Sequence, residues 1–332
     1  MKFALLLLLF LNPFLSFSVP ARAEPNVILV TLDGIQWESV FRNSAMPHLT
    51  GDLASEGVLL GDEIDSTVHV SNPVNLSLPG YQSIFLGSTP FCYSNFCKGV
   101  QRETFPEVIQ RSLNLDPGKM AAFASWEHLK RAYKRSSSPL YLNAGLDPAN
   151  LADPVHDRID LEQAASIPKW NRPGIWSARY DSFTYAHALH FLKSRQPRFL
   201  YLSLLDADEW AHAGNHPEYL KTLGSYDQWI REIADVLDQS GKYGKNTLLV
   251  VTTDHGRGRG GERWREHGRK YPESKRIWLY LRGAGIEPGA RPDPGTTLSH
   301  LSVREIILRA FELKVRLRHL PKRFKKDSRF GS

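Results

Sequence analysis

Residues 248–256 read LLVVTTDHG: an apolar run, two threonines, the adjacent pair Asp254 and His255, and a glycine. A continuous apolar run of this length predicts a buried strand of a parallel sheet. A strand that ends in a carboxylate and an imidazole can present two metal ligands to a cleft. Taken alone, such a pair is more often a helix cap beside a polar histidine. Its neighbours in the fold therefore decide its role.

Two further apolar runs also end in candidate ligands. Asp33 closes NVILVTLDG, while Asp208 and His212 follow the strand-like run in FLYLSLLDADEWAH. The carboxyl ends of the strands line the cleft of an open parallel sheet. We therefore expect these residues to meet Asp254 and His255 in one crevice.

Three of the histidines and one aspartate bear on a first metal site. Asp208 and His212 are four residues apart, so a turn or helix after the strand aims both at one ion. His267, in the Gly-flanked stretch WREHG, supplies the third ligand and leaves one position for water or substrate. His216 is an alternative to His267. A second nearby ion would stabilise the attacking and leaving oxygens of a displacement together with the first. Its ligands would be Asp33, Asp254 and His255.

The arrangement of the chain favours an α/β fold: a doubly wound, mostly parallel sheet with helices on both faces. Short apolar runs alternate with amphipathic stretches, which is typical of that class. Residues 136–173 are rich in Pro, Asn, Asp and Ser and predict a long surface excursion that shapes a substrate cleft. The predicted strands are 27–32, 120–124, 199–204, 247–252 and 277–281, and the predicted helices are 106–113, 182–194, 218–239 and 302–312.

The first residues resemble a secretory signal peptide. Lys2, an apolar stretch at 3–17 and the sequence ARA at 21–23 predict cleavage before Glu24. The alternative is an uncleaved anchor. The sequence thus divides into a signal peptide (1–23), a domain that carries the candidate metal ligands (24–313) and a basic tail (314–332). We expect an exported protein, periplasmic or secreted.

The formal charge of +7 comes from the two ends of the chain. The tail holds eight Lys or Arg residues against the single Asp327, which leaves the domain near neutral. A solvated, partly disordered terminus is the expected state of the tail, with weak contact to a membrane surface as the alternative. We expect no specific nucleic-acid partner, and the sequence leaves the oligomeric state open.

Cys92 and Cys97 are the only cysteines. In an oxidising compartment a close, isolated pair predicts a disulfide, which for so short a loop contributes about 2 kcal/mol. The alternative is a pair of reduced, partly buried thiols. A disulfide would hold its loop near the candidate nucleophile.

That candidate is Ser77 in NLSLPGYQSIFLG, ahead of Pro79, Gly80 and a helix-like run. A hydroxyl at a helix N-terminus lies beside backbone N–H groups that can hold a phosphate, and a metal ion lowers its pKa. The alternative is that Ser77 caps the helix. The nearby candidate ligands favour a nucleophile.

In this order, VTLDG, Ser-x-Pro-Gly-Tyr, Asp-x-x-x-His and TTDHG with a later His-Gly resemble the alkaline phosphatase superfamily. Within it they are most similar to the type I phosphodiesterase and nucleotide pyrophosphatase branch, over residues 26–313. The resemblance implies a doubly wound α/β sandwich in which two metal ions, usually zinc, flank a Ser or Thr that becomes transiently phosphorylated. Manganese also suits Asp/His sites. The resemblance also implies the ligands of both ions. Asp33, Ser77, Asp254 and His255 would bind one ion, and Asp208, His212 and His267 would bind the other.

The sequence departs from family patterns at the nucleophile. The phosphodiesterase branch commonly has Thr-x-Pro-Asn where this chain has Ser77-Leu-Pro-Gly80. The nearest match to that branch's phosphate-contacting asparagine is Asn95, inside the cysteine loop. Sulfatases of the superfamily carry Cys or Ser-x-Pro-x-Arg, and the missing arginine argues against sulfate esters. Phosphoglycerate mutases insert a large second domain after the nucleophile, for which this chain has no room.

We therefore expect an exported, two-metal phosphoester hydrolase, a phosphodiesterase or a phosphatase, that acts on a small phosphoester through a phosphoseryl intermediate. One alternative is a transferase that passes a phospho-group to an envelope acceptor. The other is a non-catalytic metal-binding protein of the envelope. Arg257 and Arg259, just beyond the Asp-His pair, fit phosphate binding and a solvated loop equally well.

Overall fold

The computed structural model describes residues 24–62, 66–166, 178–289 and 296–313, so the predicted signal peptide and basic tail lie outside the described residues. Ten strands and eleven α-helices make up this described part of the chain. The strands are β1 (Asn26–Leu32), β2 (Val58–Leu60), β3 (Ser66–His69), β4 (Met120–Ala124), β5 (Asn143–Ala144), β6 (Phe199–Leu204), β7 (Thr247–Thr253), β8 (Arg276–Ile277), β9 (Leu279–Gly283) and β10 (Thr296–Ser299). The helices are α1 (Trp37–Phe41), α2 (Pro47–Thr50), α3 (Asp52–Glu56), α4 (Ser77–Leu86), α5 (Phe105–Ser112), α6 (Pro154–Ser166), α7 (Asp181–Arg195), α8 (Asp206–His212), α9 (His216–Gln239), α10 (Gly241–Lys245) and α11 (His300–Ala310).

Seven strands form the main sheet, in the order β2-β9-β7-β1-β6-β4-β5. The pairings among β7, β1, β6, β4 and β5 are all parallel, whereas β9 runs antiparallel to both β7 and β2. A smaller sheet has the order β10-β3-β8. The prediction of a mostly parallel main sheet is confirmed.

Alternate residues of β1 pack on opposite faces of the sheet. Val27 and Leu29 belong to an apolar cluster that includes residues of α4, α5 and α11. Ile28 and Val30 belong to a second cluster, built with α7 and α9. Because successive side chains of a strand point to opposite faces, a continuous apolar run is what a sheet covered on both sides requires. The prediction of helices on both faces is likewise confirmed.

The predicted strand at 277–281 is in fact two strands in two sheets. Ile277 in β8 pairs with Val68 of β3, while Leu279 in β9 pairs with Leu60 and Thr252. The buried Trp278 separates them. A single apolar run therefore serves both sheets, and periodicity alone does not reveal the break.

The predicted surface excursion at 136–173 is only partly a loop. It contributes β5, which pairs with β4 at the edge of the main sheet, and the thirteen-residue helix α6, which packs on α7. Residues 167–173 lie outside the described residues. Asp153, one of the residues that suggested a loop, accepts a hydrogen bond from Val155 N–H (3.0 Å) at the start of α6. Polar residues of this kind favour helix starts as well as turns.

Nowhere in the described residues is a helix both long enough and apolar enough to cross a bilayer.

Candidate metal centre and nucleophile

The carboxyl ends of β6, β1 and β7 lie side by side and carry the predicted strand-end residues. Asp33 follows β1, Asp254 and His255 follow β7, and Asp208 lies in α8, directly after β6. Asp33, Asp254 and His255 are fully buried, and Asp208 is 5% exposed. The structure thus brings together residues that are far apart in sequence, as the parallel topology requires.

Asp33, Asp254 and His255 form the first group, with ligand atoms that all lie within 4.8 Å of one another. His255 Nε2 is 3.5 Å from an oxygen of each aspartate. Asp254 Oδ1 accepts hydrogen bonds from the backbone N–H groups of Gly34 (3.0 Å) and His255 (2.9 Å). Asp254 Oδ2, although buried, has no hydrogen-bond partner among the described residues. A buried, unpartnered carboxylate oxygen beside a second carboxylate and an imidazole fits a divalent cation.

The charges of this group also call for a cation. Burial raises the pKa of Asp33 well above its ordinary value, and the nearby Asp254 and Asp208 raise it further. Burial raises the pKa of Asp254 to about 8. Burial also holds the pKa of His255 well below its ordinary value, which keeps the imidazole in the neutral form that binds metals. A divalent ion would supply the positive charge that keeps both carboxylates ionised.

Ser77 is the first residue of α4, and its hydroxyl faces this group. Ser77 Oγ is 3.1 Å from His255 Nε2 and 3.4 Å from Asp33 Oδ1. Leu76 occupies the N-cap position, so the alternative that Ser77 caps the helix is wrong. One turn later, the Tyr81 hydroxyl donates to Asp33 Oδ2 at 2.9 Å. Sequence reasoning gave Tyr81 no role, although its four-residue spacing from Ser77 places both on one side of the helix.

Gly80 allows the start of α4 to approach β7 closely. A Cβ at this position would lie 2.8 Å from the Asp254 carbonyl oxygen and 3.3 Å from Asp254 Cβ. Any side chain there would push the helix away from the strand end. The glycine in the Ser-x-Pro-Gly element is therefore tied to the placement of Ser77.

Asp208, His212 and His267 form the second group, again with ligand atoms within 4.8 Å of one another. His212 Nε2 is 3.2 Å from Asp208 Oδ2 and 3.1 Å from His267 Nε2. The Nδ1–H of His267 donates to the Asn75 carbonyl (3.0 Å), which directs Nε2 toward the group. His216, the alternative ligand, is exposed and packs against Trp264 instead.

Arg257 is buried and forms an ion pair with Asp208. It also donates to the Trp264 carbonyl (2.7 Å). Burial alone would raise the pKa of Asp208, but Arg257 and His212 together hold it well below its ordinary value. Gly34 has a positive φ of 64°, and a Cβ there would collide with both Asp208 and Arg257. Of the two arginines, only Arg259 is exposed, 3.7 Å from Glu38.

The pKa values of the two histidines in the second group shift in opposite directions. Asp208 raises the pKa of His212, whereas burial lowers the pKa of His267 to about 4. His267 also joins the two groups, because its ring stacks on that of His255 with centroids 3.8 Å apart and planes 15° apart. The two candidate ion sites are therefore immediate neighbours, as a two-metal centre requires.

The predicted disulfide between Cys92 and Cys97 is confirmed. It closes a loop in which Asn95 Oδ1 accepts a hydrogen bond from Leu78 N–H at 3.0 Å. Asn95 therefore lies at the N-terminus of α4, beside Ser77, and satisfies a backbone donor that Leu76 cannot cap. Beside it, the rings of Phe91 and Phe96 are 99% and 85% exposed.

Comparison with known proteins places the chain in a family. The sulfatase family model matches residues 25–289, more than half of the chain. A GPI ethanolamine phosphate transferase 1 from Emericella nidulans is 32% identical over 103 residues, which are 31% of this chain and 10% of the relative. The chain therefore spans about a tenth of the length of that relative.

Two solved structures illustrate the shared fold. Murine ectonucleotide pyrophosphatase/phosphodiesterase 5, solved in complex with AMP, is 12% identical with a TM-score of 0.56, covering 90% of this chain and 96% of its own. The lipoteichoic acid synthase from Listeria monocytogenes is 14% identical with a TM-score of 0.57, covering 88% of this chain and 73% of its own. At these identities the likeness establishes the fold alone. Members of the superfamily are metal-dependent enzymes that act on phosphate or sulfate esters. The chain belongs to the sulfatase family, within the alkaline phosphatase superfamily.

Proposed function

We propose that this protein is a metal-dependent hydrolase of phosphoric esters in which Ser77 forms a phosphoseryl intermediate. The observation that carries the proposal is the position of Ser77 Oγ, within 3.4 Å of both His255 and Asp33 at the first position of α4. Leu76, and not Ser77, occupies the N-cap position of α4, and the Ser77 hydroxyl faces the ligand group instead.

The donor sets of the two groups fit two divalent ions, with zinc the first choice and manganese also accepted by Asp/His ligands. When bound, such ions lower the pKa of the serine hydroxyl and offset the charge that develops on the phosphoryl oxygens. One ion would be held by Asp33, Asp254, His255 and Ser77, and the other by Asp208, His212 and His267.

The side chains then act in sequence. Ser77 Oγ gives its proton to solvent and attacks phosphorus, an Oγ–P bond forms as the bond to the leaving oxygen breaks, and the leaving oxygen takes a proton from water. Asn95 Oδ1 is engaged by Leu78 N–H, which leaves the Nδ2 protons of Asn95 to bind a phosphoryl oxygen. Water then attacks the phosphoseryl group, breaks the Oγ–P bond and restores the hydroxyl.

Phosphate esters are preferred over sulfate esters because the nucleophile element contains a serine without the arginine of the sulfatase pattern. Ser77 is followed by Leu78, Pro79, Gly80 and Tyr81, where the sulfatase pattern carries an arginine. A serine hydroxyl performs direct attack on phosphorus through a covalent intermediate.

The test is an assay of the purified protein with 4-nitrophenyl phosphate, bis(4-nitrophenyl) phosphate, an AMP diester and 4-nitrophenyl sulfate. Chelation should remove activity, and zinc should restore it. Ser77→Ala should lower kcat at least about 10³-fold, while the three remaining ligands of that ion keep the metal content unchanged at saturating zinc. The matched control is Ser83→Ala, because Ser83 is buried in the same helix and bonds only to the Pro79 carbonyl (2.7 Å) in the described structure. Full activity in Ser77→Ala, or in chelated protein, would refute the proposal.

A second candidate is transfer of the phospho-group to an alcohol other than water. It is supported by the local 32% identity to a GPI ethanolamine phosphate transferase. The same phosphoseryl intermediate serves both reactions, and only the acceptor differs. Turnover of the diester with added ethanolamine or glycerol separates them: a phosphorylated acceptor favours transfer, whereas release of all product to water favours hydrolysis.

Export is proposed on two grounds: the signal-like first 23 residues, which lie outside the described residues, and the disulfide between Cys92 and Cys97. Sequencing the N-terminus of the protein recovered from expressing cells tests it. A mature chain that begins at Glu24 is expected, and a cytoplasmic chain that begins at Met1 would contradict it.

A further inference from the structure

A third cluster of candidate ligands lies between α6 and α7, two helices that contribute nothing to the groups at the strand ends. Asp153 directly precedes α6, His156 is the third residue of α6, and His190 lies in α7. Their ligand atoms all lie within 4.8 Å of one another. His187 of α7 and Asp160 of α6 complete the cluster.

The three ligands have spacing suited to an ion. Asp153 Oδ2 and His190 Nε2 are 3.0 Å apart, close to the roughly 3.3 Å that separates tetrahedral ligands at zinc bond lengths. Asp153 and His190 have side chains that are 16% and 24% exposed, so an ion can enter from solvent. His156 is buried beneath them. On α7, His187 and His190 are three residues apart, which places both on one side of that helix.

Hydrogen bonding around His156 prepares it as a ligand. Its Nδ1 is 2.8 Å from His187 Nδ1, so one of these atoms carries the shared proton and the other accepts it. His187 Nε2 is 3.2 Å from Asp160 Oδ1, and neither atom has any other partner among the described residues. A carboxylate there favours the proton on His187 Nε2.

That assignment determines the tautomer of His156. His187 Nδ1 becomes the acceptor, so His156 donates Nδ1–H and keeps the lone pair of Nε2. Metal-bound histidines commonly have this arrangement, with the second ring nitrogen donating to a fixed partner. Phe123 stacks on both rings, 5.9 Å from each, and holds their planes nearly parallel.

We propose that Asp153, His156 and His190 bind a third divalent ion, zinc by their donor set, which joins α6 to α7 and takes no part in ester hydrolysis. The ion would cross-link residues 37 positions apart and anchor the segment that carries the edge strand β5. The proposal is independent of the reaction proposed at the strand ends.

The test is a metal count. The purified protein is stripped with chelator, dialysed against zinc, and analysed by plasma mass spectrometry. Wild type should carry one zinc more per chain than His190→Gln, and both should hydrolyse ester at the same rate. The matched control is His48→Gln: His48 Nδ1 is also 3.1 Å from a carboxylate, Asp52, but no third ligand joins them among the described residues. This variant should keep the wild-type count.

A second measurement, the melting temperature with and without zinc, distinguishes loss of zinc binding from misfolding of the variant. In an Asp208→Asn/Asp254→Asn background, zinc should still raise the Tm through the remaining site, and adding His190→Gln should abolish that rise. Equal zinc counts in wild type and folded His190→Gln would overturn the proposal. A zinc-dependent Tm rise that survives His190→Gln would overturn it as well.

Discussion

Gly80→Ala is the sharpest test of how the nucleophile is positioned. In an ordinary helix, replacing glycine with alanine stabilises the folded protein, because alanine has a higher helix propensity than glycine. In α4 the new Cβ would lie 2.8 Å from the Asp254 carbonyl oxygen, which is about 0.6 Å inside ordinary van der Waals contact. The opposing atom belongs to the backbone of a candidate ligand, so no flexible side chain can move aside. The helix start, which includes Ser77, has to shift.

The expected loss follows from that displacement. A misplacement of 1 Å at a reacting group costs about 10²-fold in rate, so a shift of half that size should lower kcat about 10-fold or more. Overpacking of this kind should also lower the free energy of unfolding by about 1–3 kcal/mol. Hydrolysis of the best substrate and urea unfolding measure the two effects.

The control is Gly224→Ala in α9, because a Cβ there meets no atom within 4 Å. It should raise the free energy of unfolding by about 0.4–1 kcal/mol and leave kcat unchanged. If Gly80→Ala behaves like Gly224→Ala in both assays, the close approach of α4 to β7 does not position the nucleophile.

Three further predictions follow from the candidate centre. Tyr81→Phe removes the hydrogen bond to Asp33 and should weaken zinc binding about 10-fold or more, as measured by competition with a chromogenic chelator; unchanged affinity would show that Tyr81 does not support the ligand. In metal-free protein, the raised pKa values of Asp33 and Asp254 mean that each carboxyl group stabilises the folded state while it is protonated, and this stabilisation is lost as the pH rises through the folded-state pKa, about 8 for Asp254. The lowered pKa values of His255 and His267 give the opposite trend, but only below about pH 6.5. Stability should therefore fall between about pH 7 and about pH 9, by about 1 kcal/mol for Asp254; urea unfolding at these two pH values measures this, and zinc should remove the difference. Replacing Cys92 and Cys97 with serine should lower stability by about 2 kcal/mol and raise KM more than it lowers kcat, whereas a loss confined to kcat would contradict a role in substrate binding.

The strand-end residues were predictable because they depend on local pattern and on one rule of topology. Asp33, Asp208 and Asp254 each follow an apolar run, and parallel strands necessarily present those ends at one edge. The bounds of β4 and β6 match the prediction residue for residue. Each of these features is encoded in a short stretch of sequence.

The remaining parts of the site depend on contacts between distant segments. Tyr81 reaches Asp33 across 48 residues, and Arg257 pairs with Asp208 across 49. No periodicity signals either contact. The cluster of candidate ligands around His156 could not be predicted for another reason. The polar composition of residues 136–173 predicts a loop, so α6 was not expected. Only a helix at that place brings His156 to α7.

The buried guanidinium of Arg257 gives the two ligand groups different net charges. Asp33 and Asp254 offer two carboxylates whose charges no described cation offsets, whereas the single carboxylate of Asp208 is already balanced. The first group should therefore fill at the lower zinc concentration. At limiting zinc the centre at the strand ends would be half-loaded, with the ion beside Ser77 in place and its neighbour absent. Calorimetric titration of stripped protein should resolve these steps, and Arg257→Met should bring them closer together.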